Sequence, residues 1–285
     1  MQPTLPAKEE PRAASDARLP EPAAAGQSPP ISAGAQSAAR RPRFFRRANA
    51  YEDIRSLLAG VVRKGRCLDL PAGRGVNLDG IVGAGFRPIV ADLFPKKTRS
   101  KGHPCLKVNF LQPLPFADAA FSALLVSEGI EHHSGQTEFL KDCARILEPG
   151  GVLLVTTPNI LNLRARLAYL LNGQYSFRRN PLSEVTQLWQ GKYLGHVHQV
   201  DYFKLRFMLL QAGFRLRDVT AAKYSLFAIL LGLFFYLPVR FFTRRVFRKT
   251  LEGHDEACEE ILRHSLSADL LLGKKLIVLA EKRAV

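Results

Sequence analysis

Cysteine is scarce in this chain, and its placement excludes two common uses. The 285 residues contain four cysteines, and none of them forms a C-x-x-C pair. Structural zinc sites and disulfide frameworks both need several cysteines at recurrent spacings. We therefore expect a cytoplasmic protein with reduced, buried thiols at Cys67, Cys105, Cys143 and Cys258.

Large apolar side chains are almost missing from residues 1–42, which are rich in Ala, Pro, Ser, Gln and Arg. Such a segment buries too little surface to offset the entropy lost on ordering it. We expect a disordered basic arm there, without the apolar stretch of a secretory signal. Residues 43–285 are expected to form one domain, since an apolar content of 47% over the whole chain is ample for a packed core.

Acidic residues are outnumbered. Asp and Glu total 25 against 41 Lys and Arg, and the formal net charge is +16. Much of the excess falls in two clusters, at residues 40–47 and 240–249. A basic cluster attracts nucleic acid and anionic lipid equally well. The charge predicts a polyanionic partner and does not choose between these two.

The most informative segment is 66–92, where two short apolar runs flank a glycine turn and a helical stretch. The first run ends at Asp69 and Leu70, Gly73 and Gly75 form the turn, and the second run ends in Asp92. The helix is predicted to bury a face made of Leu78, Ile81 and Val82. Glycine lets a ligand approach the backbone, and an acid after the second strand accepts hydrogen bonds from a ribose diol. The segment therefore predicts a nucleoside-bearing cofactor.

This segment resembles the class I S-adenosylmethionine-dependent methyltransferases, in which an acid precedes a glycine-rich turn. Pro71 stands where that family usually has its first glycine, so a different local geometry is expected. Three later segments are similar to family segments around strands 4 and 5, namely Leu114–Phe121, Ser127–His132 and Leu147–Gly151. The resemblance covers roughly residues 50–282. It implies that S-adenosylmethionine is the cofactor and that the protein is an enzyme.

The alternation of strand and helix patterns, together with this resemblance, implies an α/β fold. We expect a Rossmann-like, seven-stranded, mostly parallel sheet with helices on both faces and an antiparallel last strand that forms a hairpin with strand 6. Strands are predicted at 67–70, 88–91, 105–108, 122–126, 152–156, 215–222 and 275–280. Helices are predicted at 51–62, 136–147 and 201–212, the last capped by Asp201.

An insertion at residues 224–272 separates strands 6 and 7. It begins with an uncharged apolar run, Tyr224–Val239, followed at once by a basic run. The apolar run is shorter than the ~20 residues of a spanning helix, and one crossing would place strands 6 and 7 on opposite sides of a membrane. The insertion is therefore predicted to dip into one leaflet, to lie in the interface, or to pack on the protein as a lid. Peripheral association with an anionic membrane surface is the favoured expectation.

The resemblance also implies which residues bind the cofactor. The methionine end is expected at the glycine turn, the ribose at Asp92, and the adenine near Asn109 and Phe110. A core position is the plain alternative for Phe110. The full predicted set is Asp69, Ala72, Gly73, Gly75, Asp92, Asn109, Phe110, Ser127 and Glu128.

A metal and a base are the remaining candidates. Glu128, Glu131 and His132 are similar to a metal-binding E-x-x-E-H string of ubiquinone-pathway O-methyltransferases, which would hold Mg²⁺. The same string is common in the broader family without metal, and no metal is the favoured expectation. Candidate bases are His132, His133, His196 and His198, because imidazole titrates near neutral pH. Tyr175, Trp189 and Tyr193 are candidates for lining an acceptor pocket or for packing a loop.

The predicted function is S-adenosylmethionine-dependent methyl transfer, on oxygen, to a small-molecule or lipid-linked acceptor at a membrane surface. A lipid, a quinone precursor and a lipid-linked glycan remain open. A nucleic-acid methyltransferase is a rival reading, yet Ser127–Ile130 lacks the Asn/Asp-Pro-Pro-aromatic motif of many base-amino methylases, so nucleic acid is not the expected partner. A non-catalytic membrane scaffold is a second rival. An NAD-dependent reductase is a third, although its fingerprint needs a glycine at Leu78.

Overall fold

The computed structural model describes residues 50–99, 102–177, 198–224, 226–248 and 255–283. The predicted arm at 1–42 lies outside them, as do His196, Trp189 and Tyr193. The strands are β1 Arg66–Asp69, β2 Arg87–Asp92, β3 Cys105–Lys107, β4 Phe121–Ser127, β5 Leu147–Pro158, β6 Phe214–Tyr224 and β7 Gly273–Lys282. The helices are α1 Ala50–Ala59, α2 Leu78–Gly83, α3 Gln136–Ile146, α4 Leu163–Asn172, α5 Tyr202–Gln211, α6 Leu226–Arg248, α7 Asp255–Ser265 and α8 Ala268–Leu272.

The strands form one seven-stranded sheet in the order β3-β2-β1-β4-β5-β7-β6. The first five strands run parallel, and β7 lies antiparallel between β5 and β6. The predicted fold class, including the antiparallel last strand and its hairpin with strand 6, is confirmed. Because β7 is antiparallel to both neighbours, β6 runs parallel to β5. The carboxyl ends of β1, β2, β4, β5 and β6 therefore meet at one edge of the sheet, where ligands bind in open α/β folds.

Two layers of helices cover the two faces of the sheet. On one face, Ile54 and Leu58 of α1 and Ile81 of α2 pack with Cys67 and Leu125. On the other face, α3 and α5 contribute Leu140 and Leu205 to a second and larger core cluster. This sandwich holds the sheet rigid, so side chains at its carboxyl edge are presented from fixed positions.

Local signals account for several helix ends. The Asp201 carboxylate accepts hydrogen bonds from the N–H groups of Phe203 and Lys204, at 2.7 and 3.0 Å, and so caps α5 as predicted.

The predicted buried face of α2 is wrong in part, because Val82 is 51% exposed while Leu78 and Ile81 are buried. The reason is that α2 has six residues and presents a single i, i+3 pair to the sheet.

The first helix of the insertion is longer than the uncharged apolar run on which its prediction was based. The apolar run and the basic run after it form one 23-residue helix, α6, with Pro238 inside it. At 1.5 Å per residue, α6 is about 35 Å long. Its most apolar 18 residues have a mean hydropathy of 1.9, and 6% of them are buried. By length and composition α6 would suffice to cross a membrane, which corrects the estimate made from the uncharged run alone.

Candidate active site

Asp92 and the glycine turn form one hydrogen-bonded unit at the carboxyl ends of β1 and β2. The Asp92 Oδ2 atom accepts from the Gly73 N–H at 2.8 Å, and Oδ1 accepts from the Phe94 N–H at 2.7 Å. A carboxylate offers about four acceptor positions. Two positions therefore remain for a sugar diol, as the prediction for Asp92 requires. Ala72 is buried beneath the turn, and its N–H donates to the Ala91 carbonyl at 2.9 Å.

The outer face of the turn is open at Gly73. This residue has φ +54°, and no atom lies within 4 Å of the position that a Cβ would take. Gly75 also has positive φ, at +72°, but a Cβ there would lie 2.6 Å from the Arg99 carbonyl oxygen. A ligand can therefore approach the backbone at Gly73, while Gly75 is covered by the chain itself.

The covering segment is the turn after β2, which the sequence analysis missed. The Thr98 hydroxyl donates to the Gly73 carbonyl at 2.9 Å, and the Arg99 N–H donates to the Arg74 carbonyl at 3.3 Å. The available signal was the basic, proline-led run directly after Phe94. This turn makes the rim of the site cationic.

A cavity of about 510 Å³ lies between the glycine turn and this covering segment. Small-molecule sites are commonly about 300–1,000 Å³ in volume. The cavity has the open backbone face of Gly73 and the free acceptor positions of Asp92, and these fit a nucleoside with an unmodified ribose. Its lining residues are Gly73, Arg74, Asp92, Phe94, Lys97 and Arg99.

Asp69, predicted as a cofactor contact, is buried under the turn. Its Oδ1 atom accepts from the Asn77 side-chain N–H at 3.3 Å, and Oδ2 has no hydrogen-bond partner among the described residues. Burial raises the pKa of Asp69 to about 7, and the Asp92 charge adds to the effect although the Asn77 hydrogen bond opposes it. Burial therefore favours the neutral form of this carboxyl group.

The proline that departs from the family pattern has a matching glycine. The Leu70–Pro71 peptide bond is cis. A Cβ at Gly129, in the turn after β4, would lie 2.4 Å from the Cδ atom of Pro71. The pyrrolidine ring therefore occupies space that Gly129 leaves empty, and this gives the turn a packing of its own.

At the predicted adenine end, the structure separates the two candidates. The Asn109 Oδ1 atom accepts from the Leu111 N–H at 3.1 Å, so this oxygen already orders the local turn. Phe110 is 2% exposed, with its ring centroid 5.9 Å from that of Phe139 and 6.3 Å from that of His133. The alternative of a core phenylalanine is correct for Phe110, because its ring faces the α3 side of the sheet.

The predicted contacts after β4 link neighbouring strands. The Ser127 hydroxyl lies 3.2 Å from the Thr156 hydroxyl on β5. The Glu128 carboxylate lies 3.2 Å from Lys275 Nζ on β7, and Glu128 has φ +53°. Both residues lie at the carboxyl edge, at the centre of the sheet, where the acceptor side of the site is expected.

Glu131 is a second carboxyl group at the site whose pKa is strongly raised. It is 1% exposed, and its Oε2 atom accepts from the Thr157 hydroxyl at 3.2 Å. Burial is the main cause that raises its pKa to about 7, and the neighbouring Glu128 charge contributes. A protonated fraction near neutral pH lets this carboxyl donate as well as accept a proton.

The candidate metal set is not assembled. Within the described ranges, no three His, Cys, Asp or Glu side chains come together in a way that would hold an ion. Glu128 is directed to Lys275 and Glu131 to Thr157, so Glu128, Glu131 and His132 do not converge. The geometry of these residues therefore does not support the Mg²⁺ candidate.

The candidate histidines have different environments. His133 is 8% exposed, and its ring stacks on Phe139 at 5.0 Å between centroids. Burial lowers the pKa of His133, which favours the neutral imidazole. His132 is half-buried in the short turn after β4. His198 is exposed. It lies beside that turn, because its backbone N–H donates to the Glu131 carbonyl at 3.2 Å.

A comparison with known protein families shows to which family the chain belongs. A family described as a methyltransferase domain matches residues 42–219. The chain belongs to this methyltransferase family. The predicted membership in the class I S-adenosylmethionine-dependent methyltransferases is confirmed, and this family implies S-adenosylmethionine as the cofactor.

Relatives and solved structures agree with this assignment. The chain is 33% identical over 111 residues to the ubiquinone/menaquinone biosynthesis C-methyltransferase UbiE of Pectobacterium atrosepticum, covering 34% of this chain and 44% of that protein. It is 29% identical over 114 residues to the ubiquinone biosynthesis O-methyltransferase of Parvibaculum lavamentivorans, covering 40% and 41%. The chain thus spans less than half the length of either relative. A SAM-dependent methyltransferase from Archaeoglobus fulgidus shares the fold, with a TM-score of 0.50, 17% identity and coverage of 83% and 95%.

Proposed function

We propose that this methyltransferase methylates an oxygen of an apolar acceptor at a membrane surface. The acceptor classes are a lipid, a quinone precursor and a lipid-linked glycan. The names of the two quinone-pathway relatives support an aromatic or isoprenoid acceptor that is methylated on oxygen or carbon. The proposal places the protein on the cytoplasmic side as a peripheral enzyme.

The position of α6 carries this proposal. β6 ends at Tyr224 on the carboxyl edge of the sheet, and α6 begins at Leu226. α4, which follows β5 at the same edge, packs Leu163 against Ala228 of α6. An acceptor must reach the carboxyl edge to meet the cofactor, and one side of that edge is flanked by a mostly exposed apolar helix. An apolar acceptor fits this approach better than a polar one, because it gains burial on the way in.

The residues of the chain have separable tasks in this reaction. The sulfonium supplies an activated methyl group for in-line displacement, and no metal is required. Asp92 and the glycine turn orient the nucleoside through fixed acceptors and an open backbone face. Glu131 and His198 are joined by a backbone hydrogen bond at the turn after β4, and they are the proposed bases for an acceptor hydroxyl.

The acceptor is tested by incubating the purified full chain with membrane extract and methyl-labelled S-adenosylmethionine. Mass spectrometry of the organic phase is expected to show a product heavier by one labelled methyl group. Label that appears only in the nucleic-acid fraction would establish the rival acceptor class. Label that appears only in a small water-soluble product would reject an apolar acceptor while leaving methyl transfer intact.

The base is tested with His198→Asn and Glu131→Gln once a product is known. Positioned proton transfer contributes about 10²–10⁴-fold. Loss of a base lowers kcat in that range and removes one limb of the pH–rate profile, whereas a binding defect raises KM and leaves the profile shape unchanged. An unchanged kcat in both variants would exclude these residues as bases.

A further inference from the structure

The exposed apolar surface of α6 has a regular helical pattern. One stripe faces the protein: Ala228 is fully buried, and Ile229, Leu231 and Val239 pack beside it against Leu163, Leu271 and Leu272. The opposite stripe carries large apolar side chains with 56–80% exposure. We call these residues the α6 docking face, and they are Leu226, Leu230, Leu233, Phe234, Leu237 and Phe241. Their spacing of three or four residues places them on one side of the helix.

We propose that the α6 docking face lies flat in one leaflet of an anionic membrane and that α6 does not span the bilayer. Three modes remained open from the sequence: a dip into one leaflet, an interfacial position, and packing on the protein. The structure combines the last two, because one side of α6 packs on the domain and the other is free for lipid. The inference rests on the proposed function only for the reason why this protein would contact a membrane.

Attachment of α6 to the domain argues against a spanning helix. Its packed stripe runs from Ala228 to Val239, about 16 Å at 1.5 Å per residue, which is roughly half of the helix. A Cβ at Gly232 would lie 3.2 Å from a Leu272 methyl carbon, so the helix approaches α8 closely there. A helix held this way cannot insert across a ~30 Å hydrocarbon core without drawing the soluble domain in with it.

The root of the insertion is also fixed to the sheet. Tyr224, the last residue of β6, pairs with Gly273, the first residue of β7. The Tyr224 hydroxyl donates to the Asp269 carboxylate, and the Asn159 side-chain N–H donates to the carbonyls of Leu270 and Gly273 at 2.9 and 2.8 Å. Both ends of the insertion therefore stay on one side of any membrane that α6 touches.

The charge of α6 identifies the occupant as anionic lipid. The apolar half of the helix is followed by Arg240, Arg244, Arg245 and Arg248, and no acid occurs within α6. Arg244, Arg245 and Arg248 are exposed. An apolar face continued by exposed arginines is typical of interfacial helices on anionic leaflets. A second copy of α6 would offer no acid within the helix to pair with these arginines.

The docking face is tested by flotation of the full chain with vesicles of phosphatidylcholine and phosphatidylglycerol, without cofactor or acceptor. The double variant Leu233→Glu/Leu237→Glu is expected to reduce the bound fraction roughly 20-fold or more, because two leucine side chains lose their burial in lipid. The matched control is Val62→Glu, because Val62 is 94% exposed at the amino edge of the sheet. Equal binding of the double variant and the control would overturn the inference and assign vesicle binding to the basic residues before the domain.

The charge contribution is tested separately with Arg244→Gln/Arg245→Gln. Each arginine near an anionic surface contributes about a 5-fold change in partition, so we expect roughly a 25-fold loss on anionic vesicles and little change on neutral ones. The control pair is Arg66→Gln/Arg87→Gln, two exposed arginines that start β1 and β2. Equal losses in both pairs would show that net charge, rather than α6, directs binding.

The flat orientation is tested by depth. Leu237→Trp in a Trp189→Phe background gives a protein with one tryptophan. Lipids brominated near the headgroup are expected to quench this tryptophan more than lipids brominated near the chain ends. Strongest quenching at the bilayer centre would mean that α6 spans, which contradicts the proposal. Sedimentation without vesicles tests whether the wild-type protein is a dimer. A dimer that the double variant Leu233→Glu/Leu237→Glu dissociates would mean that a second copy, rather than lipid, covers the α6 docking face.

These outcomes are independent of the methyl-transfer assay. If the protein binds vesicles as described but methylates no component of the extract, the docking face is supported and the proposed acceptor is rejected. If it methylates an organic-phase product but does not bind vesicles, the acceptor is supported and the docking face is rejected.

Discussion

The substitution Asp69→Asn is predicted to stabilise the protein as pH rises. Asp69 is fully buried, and its pKa is raised to about 7 from an ordinary value of 3.8. Above about pH 4 the unfolded chain has ionised this group, whereas the folded chain keeps it protonated until about pH 7. The folded state then binds the extra proton, so its stability falls as pH rises between these two values. Asparagine has no proton to lose and keeps an oxygen for the Asn77 hydrogen bond.

The size of the effect follows from the two pKa values. The ionisation penalty of wild-type Asp69 amounts to about 2 kcal/mol at pH 5.5 and about 4 kcal/mol at pH 7.5, because one pKa unit corresponds to roughly 1.4 kcal/mol. The unfolding free energy of Asp69→Asn relative to wild type should therefore increase by about 2 kcal/mol over this interval. Using a difference between two proteins cancels the titration of Glu131, His133 and His264, which is common to both.

The assay is urea unfolding, followed by circular dichroism, at pH 5.5, 6.5 and 7.5. Asp79→Asn is the matched control, because Asp79 is an exposed carboxylate on α2 close to the same turn. An exposed substitution is expected to stay within about 0.5 kcal/mol at every pH. If the Asp69→Asn and wild-type curves remain parallel within about 0.5 kcal/mol, Asp69 is not a buried acid with a raised pKa.

Three further substitutions test contacts of the site and the core. Asp92→Asn places an NH₂ group against an N–H of the turn and leaves that N–H without an acceptor. Calorimetry should therefore show roughly a 10-fold or greater loss of S-adenosylmethionine affinity. Unchanged affinity would mean that Asp92 does not bind the ribose. Tyr202→Phe removes the hydroxyl that lies 2.7 Å from His264 Nδ1, and urea unfolding should show a loss of about 1 kcal/mol. Gly129→Ala places a methyl 2.4 Å from Pro71 and should cost about 1–3 kcal/mol. Gly60→Ala is its control, since the atom nearest to the added Cβ there is 3.5 Å away. Equal losses of unfolding free energy in both variants would show that Pro71 moves aside without a cost in stability.

The parts of the site that depend on single strands and turns were predictable from the sequence. Asp92 ends β2 and touches the glycine turn because parallel strands place their carboxyl ends at one edge. Asp201 caps α5 because its short side chain reaches the first free N–H groups of the helix. The Asp201 cap depends on residues three positions apart, and the Asp92 contact depends only on two consecutive parallel strands and the turn between them.

Contacts between distant segments were not predictable in this way. Thr98 meets Gly73 across 25 residues, and nothing in the local pattern directs the turn after β2 onto the glycine turn. An aromatic residue after a strand suits a ligand or the core equally, and only the packing around Phe139 decides for Phe110. β5 begins at Leu147, before the predicted strand, because pairing with β4 carries the chain through Gly150 at φ +75°.

The position of the insertion separates the cofactor site from the α6 docking face. β6 pairs with β7, so the ends of the insertion meet at Tyr224 and Gly273. A change in the segment between these two residues leaves the pairing of β6 with β7 unaltered. The cofactor end is built on β1 and β2, and β1 is four strands from β6. At about 4.8 Å per strand, the root of the insertion lies about 19 Å from the glycine turn along the sheet. An acceptor that enters beside α6, as proposed, must therefore extend across β7, β5 and β4 to reach the methyl group. This distance favours an elongated molecule with an apolar tail toward α6 and its reactive oxygen near Glu131.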